Sequence, residues 1–347
     1  MIAAPVPVSA ARVTVVREES GRWQLRRGDL PYAIRGVGGF GHLEQAAALG
    51  ANTIRTWSIS QLEELVDGRN LLDRAQAAGL MVVAGLWVLH SRHGHDYRDQ
   101  AVLQRQRDEI RAAVRKYRQH PALLVWGLGN EMEMGDHAAD APLWPELEVL
   151  ARIIKEEDPD HPVLTVLAGG GKEKIGNLKA HCPSIDILGI NSYGPAAQVN
   201  TMLDDAGWKK AYMLTEFGPR GPWEILHTPW GAPVEPRSGE KIASYVSAHR
   251  SALADVHGRC LGTFCFLWGN KQEATSTWFG MHLPTGEKTP AVDAMAYEFT
   301  GRWPANRSPQ IHSFKSAQAQ DRVPAGRELT ATDETTDPDK NAKTDEW

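Results

Sequence analysis

Two glutamates stand where apolar runs stop. Trp126-Gly-Leu-Gly-Asn130-Glu131 closes one run, and Met213-Leu-Thr-Glu216-Phe-Gly218 closes another, three units later in a repeating alternation of apolar and helical segments. An Asn-Glu pair alone means nothing, because a chain this long holds about one by chance at average composition. Two glutamates at matching places in a repeated unit are far less accidental. Carboxylates facing each other across a cleft suit glycoside cleavage: one enters protonated and protonates the leaving oxygen, while the other stays ionised and attacks the anomeric carbon or activates water. A gap of about 5–5.5 Å goes with retention of configuration and about 6.5–9.5 Å with inversion, and sequence does not measure that gap. Other runs end in groups that could bind a polar ligand: Asn52-Thr-Ile-Arg55-Thr-Trp57, Gly85-Leu-Trp87-Val-Leu-His90, Gly189-Ile-Asn191-Ser-Tyr193 and Phe266-Leu-Trp268-Gly-Asn270.

These ends need a scaffold that gathers them. The apolar runs are Tyr32–Val37, Asn52–Thr56, Met81–Trp87, Leu123–Leu128, Val163–Leu167, Ile185–Ile190, Ala211–Thr215 and Thr263–Leu267. Amphipathic segments lie between them, including Ile59–Ala78, Ala101–Gln119, Trp144–Glu157 and Lys241–His257, and Thr289–Phe299 follows as a last helix. Strands apolar throughout and joined by helices form a parallel sheet covered on both faces. Eight such units in about 270 residues match an α/β fold of the (β/α)8 TIM-barrel type, whose strand C-terminal ends carry function. A doubly wound sheet would open with a dinucleotide-binding turn, and Gly36-Val-Gly-Gly-Phe-Gly has the wrong spacing for one. The runs carrying Glu131 and Glu216 are the fourth and seventh, which face each other across such a mouth. The expected domains are an N-terminal extension with a short β-hairpin over 1–31, a catalytic barrel over 32–304, and a polar segment over 305–347. That last segment reads either as a disordered tail or as the truncated start of an immunoglobulin-like sandwich, with strands at Gln310–Phe314 and Arg327–Thr332 and an end at Thr344–Trp347.

Composition narrows the function classes. The chain has 347 residues with a formal charge of −5, 42% hydrophobic and 23% charged. Without a basic block it is a poor nucleic-acid binder. No apolar stretch nears the roughly 20 residues of a membrane span. Cys182, Cys260 and Cys265 form no paired framework and no CxxC. Tryptophan is over-used, 12 against 7 Phe and 7 Tyr, which suits sugar stacking and core filling equally. The His90-Ser-Arg-His93-Gly-His95-Asp96 loop resembles a metal cluster, but the first strand offers no histidine pair to join it. The loop is read instead as polar contacts to substrate, with His90 entering the site. Gly169-Gly-Gly-Lys172 lacks the remaining residues of a phosphate loop, and Asp337-Pro-Asp-Lys-Asn341 lacks the glycine of a calcium loop. Glu133, Glu224 and Glu273 read as solvated surface. No cofactor and no metal is expected.

Asn52-Thr-Ile-Arg-Thr-Trp, Gly127-Leu-Gly-Asn-Glu-Met-Glu and Leu214-Thr-Glu-Phe-Gly resemble the strand-end motifs of the retaining (β/α)8 glycosidases of clan A, which includes glycoside hydrolase families 2 and 5. The likeness runs from about Trp23 to Trp303. It implies that Glu131 is the general acid/base and Glu216 the nucleophile. It implies further that Asn130 binds the sugar 2-hydroxyl, that Arg55 keeps the nucleophile ionised, that Tyr193 hydrogen-bonds it, and that Trp268 floors the subsite of the cleaved sugar. The sequence departs from the clan's common form at Asn191, where many members carry histidine. Trp57 is an expected stacking contact. The resulting expectation is a retaining β-glycoside hydrolase acting on a carbohydrate chain, a β-glucan, by double displacement. A transglycosylase of the same mechanism, a non-catalytic glycan-binding barrel and a metal-dependent hydrolase are the alternatives. Export from the cytoplasm is also expected, with residues 1–11 reading either as the stub left after signal removal or as a loose terminus.

Overall fold

The computed structural model describes residues 10–133, 142–319 and 321–341. Eight parallel strands close into a barrel in chain order: β4 (Ile34–Gly38), β5 (Thr53–Arg55), β6 (Met81–Leu86), β7 (Leu123–Leu128), β8 (Val163–Ala168), β9 (Ile187–Asn191), β10 (Tyr212–Phe217) and β11 (Cys260–Phe266). β11 returns to pair with β4, Phe266 lying beside Gly38, so no edge strand is left open. Helices follow the strands, among them Gln100–Tyr117, Leu143–Glu157, Ser238–Leu253 and Pro290–Thr300. The fold is the expected α/β TIM barrel.

Side chains alternate along the strands. In β6, Val82, Ala84 and Leu86 pack outward in the main apolar cluster beneath the helices, while Met81 and Val83 belong to a second cluster. That second cluster also holds Ile34, Leu124, Leu164, Val166, Ile187, Met213 and Phe264, and fills the barrel interior. It is continuous with three short antiparallel strands ahead of the barrel, β1 (Val13–Arg17), β2 (Trp23–Arg27) and β3 (Leu30–Pro31), through Val13 and Leu25. This small sheet is tied to the loops entering the strands: Val13 N donates to Asp160 O, and Trp23 donates from N to Gly258 O and from Nε1 to Lys209 O. It plugs the N-terminal end of the barrel, so a ligand enters from the opposite end.

Local differences from expectation have local causes. The single helix expected over Ile59–Ala78 is two, Ile59–Glu63 and Leu71–Ala77. Between them Asp67 (φ 50°) and Gly68 (φ 73°) make a left-handed turn that bridges Val66 to Arg69. Beyond the barrel, β12 (Gln310–Ser316) and β13 (Ala331–Thr336) pair as a two-stranded antiparallel sheet. The second strand starts at Ala331, later than its expected place at Arg327, with Leu329 exposed and outside the ladder. The segments 1–9 and 344–347, on which part of the terminal readings rests, lie outside the described residues. No described helix is long and apolar enough to cross a membrane.

Candidate active site

At the C-terminal ends of the strands a cavity of about 970 Å³ opens, and every barrel strand or the loop after it contributes to its lining. Glu131, Glu216, Asn130, Asn191, Tyr193, Trp57 and Trp268 all face it.

Glu216 is the most tightly held group. β10 runs two residues further than expected, to Phe217, so Glu216 is a strand residue and only 6% exposed. Its Oε1 accepts from Arg55 Nη1 and Trp57 Nε1, both at 2.8 Å, and its Oε2 accepts from Tyr193 Oη at 2.7 Å. Three donors, one of them a buried guanidinium, suit a carboxylate, which only accepts. Tyr193 stays a phenol, since burial first and the Glu216 charge second push its pKa well up. Glycine makes this approach possible: a Cβ on Gly85 would lie 2.3 Å from the backbone carbon of Trp57.

Glu131 is presented differently. After Gly129 (φ 71°) the chain turns sharply and Glu131 itself adopts φ 53°, a conformation few side-chain-bearing residues take. Its N–H donates to Val166 O across β8 at 2.9 Å, which anchors the turn. The carboxyl pKa rises to about 7; burial is the largest cause and the nearby Glu216 charge the next. Near neutral pH this carboxyl therefore keeps its proton through much of the population.

A chain of amides joins the two carboxyls. Arg55 Nη2 donates to Asn130 Oδ1 at 2.7 Å, and Asn191 Nδ2 donates to Asn130 Oδ1 at 3.1 Å and to Glu131 Oε1 at 2.8 Å. Thr215 Oγ1 donates to Asn191 Oδ1 at 2.8 Å, which fixes the amide with its NH2 toward Glu131. Asn130 Oδ1 thus serves two donors, and its own NH2 is left to meet a ligand. Asn191 touches the Glu131 carboxyl directly, and its hydrogen bond opposes the upward pKa shift.

Some sequence-expected residues stand elsewhere. His90 does not line the cavity; it is fully buried, stacked between Trp87 at 4.7 Å and His93 at 5.0 Å, because the loop folds its rings over one another. This corrects its placement as a substrate contact. Burial, then Arg92 and His93, lower its pKa to about 4, leaving a neutral ring. Trp268 lines the cavity but is only 2% exposed, set edge-on to His282, and Phe266 shares the floor. Phe266 meets Trp57 and Tyr193, the two aromatic donors to Glu216, edge-on.

Glu133 is buried rather than solvated, because the turn after β7 brings it onto β8, where it accepts from Ala168 N and pairs with Lys174. Glu224 accepts from Gly194 N and Gly221 N and ties two mouth loops together. Glu273 pairs with Lys271 at the rim. Reading by sequence missed Thr215 and Phe266. The first acts through Asn191 on the neighbouring strand, a pairing set by register, while the second is hidden inside an apolar run. Among the described residues no group of three or more His, Cys, Asp or Glu is placed to hold a metal ion.

No protein-family model matches the chain, and no curated protein matches it. Solved structures do. A β-D-glucuronidase of Dictyoglomus thermophilum superposes with TM-score 0.61 at 13% identity, over 84% of this chain and 54% of that one. A family 2 β-galacturonidase from Eisenbergiella tayi, bound to glycerol, matches with TM-score 0.59 at 16% identity, over 86% of this chain and 55% of that one. A Bacteroides uniformis β-glucuronidase matches with TM-score 0.61 at 15% identity, over 90% of this chain and 39% of that one. The chain spans about half the length of the first two or less of the third, and the likeness is one of fold.

Proposed function

We propose that this chain is a retaining β-glycoside hydrolase that cleaves a carbohydrate chain by double displacement. Glu216 attacks the anomeric carbon and becomes a glycosyl ester, while Glu131 gives its proton to the leaving oxygen. In the second step Glu131, now a base, takes a proton from water as that water displaces Glu216. One observation carries the reading: an ionised carboxylate held by three donors faces the same cavity as a carboxyl whose pKa is raised to about 7, in part by the other's charge. Esterifying Glu216 removes that charge, so the pKa of Glu131 falls just when it must serve as base. Arg55, Trp57 and Tyr193 hold the nucleophile, Asn130 donates to the sugar 2-hydroxyl, and Trp268 with Phe266 floors the sugar. The absence of a cofactor or metal from this scheme follows from the chemistry, which needs only the two carboxyls.

The substrate proposed is a β-glucan, and export is proposed with it, so that the enzyme meets an extracellular polymer. A β-uronoside is the second reading. The solved structures of like fold are named as β-glucuronidases and a β-galacturonidase. Against it, Lys271 at the cavity rim is already paired with Glu273, and Arg55 with Glu216. Transfer to a sugar hydroxyl in place of water is a variant of the same scheme.

The test is incubation of wild type and Glu131→Gln with β-1,2-, β-1,3-, β-1,4- and β-1,6-glucans, xylan, mannan, galactan and β-glucuronides, with products sized by mass spectrometry. Shortened products from wild type alone are expected. Products longer than the starting oligosaccharide identify a transferase, and binding without turnover on every member contradicts an enzyme.

A further inference from the structure

We propose that Trp87, backed by His90 and His93, is a stacking platform for a second sugar ring on the leaving-group side of the bond to be cleaved. The proposal rests on the glycosidase reading above and adds that the substrate is a β-linked oligosaccharide of at least two rings, held on both sides of the scissile bond.

The acid defines where the leaving group must lie. Glu131 sits on the turn three residues beyond β7, and its proton goes to the leaving oxygen, so the departing sugar lies against that strand's end. The strands flanking β7 are β6 and β8. β8 delivers Ala168 and Gly169 to the cavity, neither of which has a ring face, whereas β6 delivers Trp87. The backbone places Trp87 next to the acid-bearing turn: Gly129 N donates to Leu86 O at 2.8 Å.

The construction of this wall is unusual for a plain core. Trp87 is 36% exposed and lines the cavity, while one of its faces is covered by His90 at 4.7 Å and 14° between planes. His90 is in turn covered by His93 at 5.0 Å and 20°. A three-ring stack with one indole face left over presents a flat, pre-oriented surface, and pre-ordering removes the entropy cost of fixing that side chain on binding. Because His90 is a neutral ring above about pH 4, the stack brings no buried charge behind the ligand. Pyranose C–H faces meet flat aromatic rings of this kind. The stack also explains why His90, in the loop after β6, is turned away from the cavity.

The discriminating experiment compares leaving groups. β-Glucosyl and β-glucuronyl fluorides release fluoride, which is too small to reach Trp87; β-linked disaccharides of the same sugars release a full ring. Trp87→Ala is expected to lower kcat/KM on the disaccharide by about tenfold more than on the fluoride, since remote binding energy is used only by a leaving group long enough to make the contact. Trp87→Phe, which keeps a flat ring, should recover most of that difference, and His90→Ala should give a smaller loss in the same direction. Equal losses on both substrates, or no loss, overturn the platform while leaving the two-carboxylate scheme standing. A wild type that turns over no fluoride and no disaccharide overturns the glycosidase reading and the platform with it. Circular dichroism of each variant separates misfolding from lost contact.

Discussion

The two ends of the barrel are made by the same eight strands and differ in what their inward side chains do. At the N-terminal end the interior residues are apolar, and Val13 and Leu25 of the small leading sheet join them in one cluster. At the C-terminal end the inward groups are Arg55, Asn130, Glu131, Asn191, Tyr193 and Glu216, joined by hydrogen bonds of 2.7–3.1 Å. One end is held by shape and burial, where a lost atom costs stability. The other is held by polar partners that satisfy one another in low dielectric, where a lost partner leaves an unpaired buried group. Stability and chemistry are thus separated along the barrel axis, and the two ends should respond differently to substitution.

The largest effect is expected at the polar end. Glu131→Gln keeps the shape of the side chain and removes only its proton donor, so turnover on a substrate with a poor leaving group should fall by about 10²–10⁴-fold, measured as kcat/KM on a β-linked disaccharide. Its stability should rise, not fall, at high pH. A carboxyl whose folded pKa is raised from 4.5 to about 7 binds more protons folded than unfolded between those values, so its contribution is lost as pH rises through that window. The melting temperature of Glu131→Gln should therefore exceed that of wild type at pH 8 by more than at pH 4. An equal offset at both would contradict the buried, charge-coupled environment.

The opposite pattern is expected at the plug. Leu25 is 1% exposed, and Leu25→Ala should cost about 2–5 kcal/mol in denaturant unfolding. Its kcat/KM well below the melting transition should stay close to wild type. A large catalytic defect in the folded variant would erase the separation between the ends. Arg55→Met probes the boundary. Removing one member of a pair that is 2% and 7% exposed leaves Glu216 buried without its counter-charge, so this variant should lose about 3–5 kcal/mol as well as turnover.

Smaller effects sharpen the polar end. The kcat/KM profile should fall as pH rises through about 7, where Glu131 loses its proton. Asn191→Ala removes the hydrogen bond that favours the ionised acid, so this limb should move to higher pH. Thr215→Val frees the Asn191 amide to turn and should move the limb the same way by less. A limb that stays in place in both variants would mean the amide chain does not govern the acid.

Much of this was legible in the sequence. Apolar runs of strand length alternating with amphipathic segments mark the barrel, and the polar residues ending the runs mark its mouth. Glu131 and Glu216 are visible because a barrel brings strand ends together whatever their distance in the chain. What escaped depends on side-chain direction. His90 closes an apolar run as a ligand-binding residue would, yet the strand stops at Leu86 and ring stacking within the loop turns the histidine inward. Glu133 looks like a solvated acid until the left-handed turn at Gly129 and Glu131 folds it onto β8 and Lys174. Thr215 acts through an amide on the neighbouring strand, a pairing set by register between β9 and β10, which residue types do not reveal.

In the proposed scheme Glu216 forms a bond to the sugar. The most direct measurement is intact-protein mass spectrometry with peptide mapping, after incubation with the 2-deoxy-2-fluoro β-glycosyl fluoride of the sugar that wild type releases. The fluorine at C2 slows breakdown of a glycosyl ester. The expected result is a stoichiometric adduct on the peptide holding Glu216, absent in Glu216→Gln. Turnover of the natural substrate with no adduct, or an adduct on another residue, would contradict the account.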